Sequence, residues 1–278
     1  MTTTLLYDGS LNGLMTAIFT IYDRKIKLPI IALDSREQNH LFEGTELVIT
    51  DPDKAQRVWK RFNSLCEHQD AHQVYCAFLS EIIGIENTIY EYLKMTFTAQ
   101  KAPGGDSANS TVLKITQAAK MVHHEKHRME GLVRFHLMDE ETYYVHIEPD
   151  FNILPLLVSH FKNQYTDQKW IIYDLKRNFG ISYDLETVQE VQIDFKKARG
   201  QGGVLPTRVS ENSSDVASSG GFRNSTGLRI NSNEINYKDL WNQYFNSAYV
   251  KSRKSLKLHL EYVPKRSWRY LSEKYKEQ

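Results

Sequence analysis

The sequence predicts an α+β fold: a mostly antiparallel sheet packed with several helices, with a long flexible insertion before a basic C-terminal helical region. Three observations carry that expectation. Five strand-like runs fall between residues 132 and 195 with one helical pattern among them, an order that favours an α+β sheet over a doubly wound one. Most of the stretch from 51 to 97 places its apolar residues at helical spacing. Regular periodicity then stops between 197 and 232. The expected organisation is an α+β core domain over residues 1–196, a flexible Gly/Ser-rich insertion over 197–232, and a basic, aromatic helical segment over 233–278 that packs on the core.

A chain of 278 residues with 41% hydrophobic and 25% charged residues sits near globular averages and can bury a substantial core. Its net charge of +1 gives no global basic signature, so any contact with nucleic acid has to come from a local patch. The opening residues, MTTTLLYDGSLNG, lack a basic stretch followed by a small-residue cleavage site. No apolar run approaches the ~20 residues that span a bilayer. A cytoplasmic protein with no membrane partner is therefore expected. Cys66 and Cys76 supply neither a disulfide framework nor four ligands for zinc or an iron–sulfur centre, and they read as buried, inert thiols.

Taken in order, residues 3–7 alternate into a short strand, and Asp8-Gly9-Ser10 offers turn and N-cap chemistry before a helix over 11–22. In that helix Leu14, Ala17, Ile18 and Ile21 make one apolar face. A phosphate could sit at such a helix start, but one glycine in a tight turn is a weak signal, and the plain N-cap is the stronger reading of Tyr7, Asp8 and Gly9. Residues 47–50 read as a second strand, and Asp51-Pro52-Asp53 as a helix entrance, because proline is tolerated in the first turn. Helix is expected over 55–65 and again over 71–97, where Gly84, costing up to about 1 kcal/mol in a helix interior, predicts a break.

KAPGGDSAN at 101–109 is a loop, with Asp106, Ser107 or Ser110 available to cap the next helix. With Ile115 at the centre of that helix's apolar face, Ala118, Ala119, Val122 and Met129 fall near it, while Lys120, His123 and His127 cluster on one flank. Lys126 intrudes on the apolar sector, so the helix is expected to leave the core, bend or end before Gly131. Residues 132–138 and 143–148 then flank a polar turn in the pattern of an antiparallel hairpin. Asn152 can cap a helix over 153–165, and 170–175, 180–185 and 190–195 read as three more strands.

The segment 197–232 holds six glycines and seven serines in 36 residues, a linker composition. Beyond it, residues 237–250 regain helical spacing, and 249–278 carry nine Lys or Arg against three Glu. That is the one strong charge asymmetry in the chain, and Tyr262, Trp268, Tyr270 and Tyr275 are interleaved with it. Lysine and arginine, here Lys251, Arg253, Lys265, Arg266 and Arg269, can neutralise phosphates while Trp268 offers a stacking face for an unpaired base. A solvated helix face, or docking to an acidic protein, accounts for the same composition.

Titratable chemistry is densest in 120–150. His123 and His127 have the four-residue spacing of helical metal ligands, with His146, Glu148 or Asp150 as a third. The full HExxH arrangement is absent, and the favoured reading pairs Arg128 and Arg134 with Glu148 or Asp150 across the hairpin, leaving no metal assigned. Alternatively Glu148 and Asp150, with His127, act as general acid and base. No serine sits in a GxSxG elbow, and neither cysteine has a histidine in a geometric relation readable from the sequence.

Several separated segments resemble a bacterial family described as a probable DNA metabolism protein. They are YDGSLNGLMTAIF, HRMEGLVRF, HIEPDFNILPLL, FKNQYTDQKWIIYD, and WNQYFNSAYVKSR followed by PKRSWRYLSEK. The resemblance implies a role in DNA repair or DNA modification alongside a radical SAM protein, which would hold the iron–sulfur cluster, and no cofactor is expected in this chain. The same domain is similar to one fused behind uracil-DNA glycosylase-like domains. The motif positions present here are Tyr7, Asp8 and Gly9, then His127, Arg128, Met129 and Arg134, then Glu148, Pro149 and Asp150, then Trp170, and finally Pro264, Lys265, Arg266 and Trp268. His123 and His124 lie outside that pattern. The expected function is an accessory protein that binds DNA, a radical SAM partner or both through the basic C-terminal region together with Arg128 and Arg134. The alternatives are an enzyme acting on a nucleotide or damaged base through the His127, Arg128, Glu148 and Asp150 cluster, and a structural adaptor without nucleic-acid contact.

Overall fold

The computed structural model describes residues 2–34, 44–104, 108–138 and 141–193, so the expected insertion 197–232 and C-terminal segment 233–278 lie outside the described residues. The fold class is α+β, as the sequence predicts. The chain divides into two compact units, one ending at Glu125 and one beginning at Lys126.

The first unit is built on β1 (Thr3–Tyr7), whose Thr4, Leu5 and Tyr7 are buried. After it come α1 (Leu11–Asp23), β2 (Pro29–Leu33) and β3 (Gly44–Leu47), giving a parallel three-stranded sheet in the order β2-β1-β3. Parallel neighbours need a crossover, and α1, with Leu14, Met15, Ala17, Ile18 and Ile21 buried, supplies the one from β1 to β2. Strand β2 was not expected. Its five residues, PIIAL, do not alternate, and they open on a proline, a residue tolerated at the first position of an edge strand. Strand β3 ends at Leu47 instead of spanning 47–50, because Thr50 and Asp51 are engaged in the turns that follow.

Four helices complete this unit: α2 (Pro52–Asn63), α3 (His68–Leu79), α4 (Ile85–Ala99) and the first part of α5 (Ser110–Leu132). Asp51 caps α2 by accepting from the backbone N–H groups of Asp53 and Lys54. Gly84 separates α3 from α4 in a left-handed conformation, φ 83°, as its position in the pattern predicts. Asn87 on α4 both donates to the Ile31 carbonyl and accepts from the Ile31 N–H, at 3.0 and 2.9 Å. That pair of bonds gives backbone groups of edge strand β2 a partner. Helix α5 is capped by Asn109, whose side-chain Oδ1 accepts from the Thr111 and Val112 N–H groups, and Ser110 is its first residue. The expected face is present: Ile115, Ala118, Ala119, Val122 and Met129 are all buried. The helix nevertheless runs through Lys126 and Gly131 to Leu132, because the Lys126 ammonium pairs with Glu130 one turn on, at 2.7 Å.

The second unit holds β4 (His136–Leu137), β5 (Thr142–Ile147), α6 (Leu154–Gln164), β6 (Lys169–Asp174), β7 (Phe179–Tyr183) and β8 (Val188–Val191). They form a mixed sheet in the order β4-β5-β6-β7-β8, antiparallel except between β5 and β6, where α6 makes the crossover. The expected strand over 132–138 shrinks to two residues because α5 occupies its start. Strand β6 is the centre, buried from Trp170 to Asp174. On one face Tyr144, Ile171 and Tyr173 cluster with Met138 and Ile193. On the other, Trp170 packs against Phe135, Phe161 and Tyr183 at centroid distances of 5.5 to 6.4 Å, within the range for favourable aromatic pairs. Among the described residues no helix is long and apolar enough to cross a membrane.

The loop after β1 sets the start of α1. Asp8 accepts from the Ser10 N–H and hydroxyl through Oδ1 and from the Thr50 hydroxyl through Oδ2, at 2.7 to 2.9 Å, while Ser10 Oγ caps Gly13. Gly9 has φ +85°, and a Cβ on Gly13 would lie 2.2 Å from Asp8 Oδ1. We therefore expect Gly13→Ala to lower stability by about 1–3 kcal/mol in urea unfolding through overpacking. Gly131→Ala, where a Cβ meets nothing within 4 Å, should be neutral or stabilise by up to about 1 kcal/mol through helix propensity. Partial burial pushes the Asp8 carboxyl up, but the hydrogen bonds from Ser10 and Thr50 outweigh it and hold the group below its ordinary 3.8. A lowered folded pKa contributes stability above the unfolded value that is lost as pH falls through the folded value. The stability gap between wild type and Asp8→Asn should accordingly be full above pH 3.8 and shrink below it, as acid-range chemical denaturation would show.

Candidate functional site

Helix α3 carries His68, His72 and Cys76 at successive four-residue steps, which places the three side chains along one stripe. Beside that stripe Val74, Ala77 and Leu79 are buried and hold the helix in the core of the first unit. From α5, where the buried Ala119 and Val122 fix the rotation of the helix, His123 reaches the same point. Cys76 Sγ lies 3.6 Å from His72 Nδ1 and 3.6 Å from His123 Nε2, and one ligand atom from each residue falls within 4.8 Å of the others. The imidazoles of His72 and His123 stack at 5.0 Å and 24°, and His68 stacks beyond His72 at 6.5 Å. Cys76 is fully buried, while both histidines keep access to solvent. A cleft of about 430 Å³ between α2 and α3, lined by Trp59, His68, His72 and Tyr75 among others, opens beside His72. Two imidazoles and a thiol form a ligand set suited to borderline-soft transition ions, and their arrangement is the densest site chemistry among the described residues.

The two thiols therefore differ. Cys66 is half-buried, and burial with the nearby Asp70 pushes its pKa up, in keeping with an inert thiol. Cys76 is buried but sits against two imidazoles. The sequence holds a trace of this in its H-x3-H-x3-C run. It says nothing of which residue on α5 would complete the group, and His123 is found facing Cys76 and not paired with His127.

Among the polar residues expected to converge near 127–150, contacts are seen at the end of α5 and around 148–150. At the end of α5, Glu130 accepts the Lys126 ammonium and lies 3.6 Å from His127 Nδ1 and from His160 Nδ1 on α6. Burial pushes the Glu130 carboxyl up, and Lys126, His160 and His127 together bring it below its ordinary 4.5. Arg128 is half-buried, and the Arg134 guanidinium donates to the Gly131 and Val133 carbonyls at 2.8 and 3.0 Å. The second group surrounds 148–150. Glu148 is half-buried, Pro149 buried and Asp150 exposed, and the backbone carbonyls of the last two accept from Arg177, with Asp150 also accepting from Lys176. Arg177 in turn donates to Asp174 Oδ2 at 2.8 Å, and Asp174 Oδ1 accepts from the backbone N–H groups of Lys176 and Arg177.

Asp174 and Arg177 join the functional candidates only through these contacts. An aspartate closing a strand with an arginine three residues on is the signal that marks such a turn. Tyr7, Asp8 and Gly9 form the N-cap turn described above, with the Tyr7 hydroxyl donating to Glu86 at 3.3 Å. The Asp8 carboxylate lies at the start of α1, so a phosphate there would meet a like charge. Lys251, Arg253, Lys265, Arg266, Trp268 and Arg269 lie outside the described residues.

The fold and these clusters define an α+β protein with a compact imidazole–thiol group in one unit and a carboxylate–arginine clamp in the other. Residues 84–273 match a protein family described as a domain of unknown function, DUF4130, and the chain belongs to that family. No match was found among curated proteins or solved structures. His123, the loop clamp and most of the basic segment fall within the matched span, whereas His72 and Cys76 precede it.

The clamp gives a direct test of its structural weight. Asp174 has no solvent exposure and Arg177 about 10%, and removing one partner of such a pair costs about 3–5 kcal/mol. Asp174→Ala should lose that much in urea unfolding. A loss within the roughly 1 kcal/mol typical of exposed pairs would show that the clamp is dispensable.

Proposed function

We propose that this chain is an accessory protein in DNA repair or DNA modification that binds DNA, a radical SAM protein, or both. The observation that carries this reading is the composition of 249–278, nine Lys or Arg against three Glu with Trp268 and four tyrosines among them. Phosphates are neutralised by such charge, and unpaired bases stack on such rings. Arg128 and Arg134, both retaining solvent access, would add to the same footprint. The resemblance of HRMEGLVRF, HIEPDFNILPLL and PKRSWRYLSEK to a DNA metabolism family lends the same support, and the radical SAM partner follows from that resemblance alone.

Fluorescence anisotropy with labelled single- and double-stranded DNA, titrated with the full chain at several salt concentrations, tests the proposal. The affinity should fall linearly in log–log form, with about 0.7–0.9 in slope for each phosphate neutralised. Replacing Lys251, Arg253, Lys265, Arg266 and Arg269 by Gln should flatten that slope, and Trp268→Ala should weaken single-strand binding by about 1–3 kcal/mol. Absence of salt-dependent binding, with and without the radical SAM protein, would remove DNA from the reading. Co-purification with that protein after nuclease treatment would then assign the basic segment to an acidic protein surface.

A further inference from the structure

We propose that His72, Cys76 and His123 bind one zinc-class divalent ion per chain. The inference is independent of any DNA contact, since it rests on side chains in the first unit alone.

Ligand spacing is the first argument. With Zn–S near 2.3 Å and Zn–N near 2.0–2.1 Å at tetrahedral angles, sulfur and nitrogen ligands of one ion lie about 3.6 Å apart. Cys76 Sγ is 3.6 Å from a ring nitrogen of each histidine. The sulfur is thus at a tetrahedral edge from both nitrogens in a group held by two packed helices, and small rotations of the imidazoles would complete the third edge.

Burial is the second argument. A thiol beside a histidine is also the arrangement of a catalytic nucleophile, but reactive cysteines sit in partly exposed positions. Cys76 has no accessible surface, so a substrate carbonyl or phosphoryl group cannot reach its sulfur, whereas an ion held by the ring nitrogens of the solvent-accessible histidines would need only the sulfur 3.6 Å from each of them. The solvent-accessible sides of His72 and His123, with the 430 Å³ cleft beside His72, supply an entry path and room for a fourth ligand from solvent. Three protein ligands with an open fourth position is the pattern of zinc sites that polarise a bound molecule.

The third argument concerns the ligand atoms. Thiolate and imidazole select zinc and its first-row neighbours over the hard cations calcium and magnesium, which take oxygen ligands. A sulfhydryl has one proton to give. One ion would accept an electron pair from all three ligand atoms together. On binding, the Cys76 S–H bond breaks, the sulfur electron pair goes to the metal and the proton to solvent, while both imidazoles enter neutral through their lone pairs.

The experiment uses the full chain without an affinity tag, stripped with a chelator and titrated with Co(II) and then Zn(II). Expected results are one ion per chain, a thiolate-to-cobalt charge-transfer band in the near ultraviolet that Zn(II) abolishes, and release of about one proton per ion in calorimetry repeated in buffers of different ionisation enthalpy. His123→Gln, on the solvent side of α5, should retain the wild-type circular dichroism spectrum and bind at least about 100-fold more weakly. Cys76→Ser should lose the charge-transfer band, and His124→Gln and Cys66→Ser should leave binding unchanged. Tight binding without the charge-transfer band, binding unaffected by His123→Gln, or no binding at micromolar ion would each overturn the proposal.

Discussion

A strand buried on both faces must find hydrogen-bond partners along both edges and apolar cover above and below, and each unit of this protein is arranged around one such strand. In the first unit it is β1, with parallel neighbours on both sides; in the second it is β6, buried from Trp170 to Asp174 between β5 and β7. Parallel pairing obliges the chain to cross over the sheet, which is why α1 follows β1 and α6 separates β5 from β6. Neither strand can slip by one residue without turning its core side chains toward the opposite face.

The same constraint places an aspartate where each of these strands leaves the sheet. Asp8 follows Tyr7, and Asp174 follows Tyr173, so LLYD and IIYD play matching parts in unrelated topologies. Asp8 gathers donors from Ser10 and Thr50 and so ties the start of α1 to the chain after β3. Asp174 gathers the backbone of Lys176 and Arg177, and the Arg177 guanidinium then reaches the carbonyls that precede α6. In both places a carboxylate replaces the strand hydrogen bonds that end there. At 148–150 this gives the Glu-Pro-Asp loop a scaffold role through its backbone, whatever its carboxylates contact besides.

The imidazole–thiol group has a different origin. It arises where a helix stripe with four-residue spacing meets a second helix, and the stripe is rigid because Val74, Ala77 and Leu79 beside it are buried. His72 and His123 stack face to face across the contact with Cys76 beneath them. Polar side chains in such a position are costly unless each finds a partner. Here they partner one another, while the strong excess of Lys and Arg lies at the other end of the chain.

Local signals in the sequence determined the α+β class, the positions of α1 to α6, the break at Gly84, the strands β1, β5, β6 and β7, and the turn and N-cap chemistry of Asp8, Ser10 and Asp51. Each depends on neighbours within one or two turns: periodicity of apolar residues, a glycine free to take positive φ, or a short polar side chain beside a backbone N–H. Tertiary contact decided the rest. Strand β2 exists because β1 and Asn87 satisfy its backbone, which PIIAL does not announce. Helix α5 runs past Lys126 because Glu130 receives the ammonium. His123 reads in sequence as half of a pair with His127, yet it belongs with Cys76, 47 residues earlier, because the rotation of α5 is set by burial of Ala119 and Val122 and not by local spacing. Spacing along one helix is a property of its own residues, whereas the register of one helix against another is settled only when their apolar faces pack.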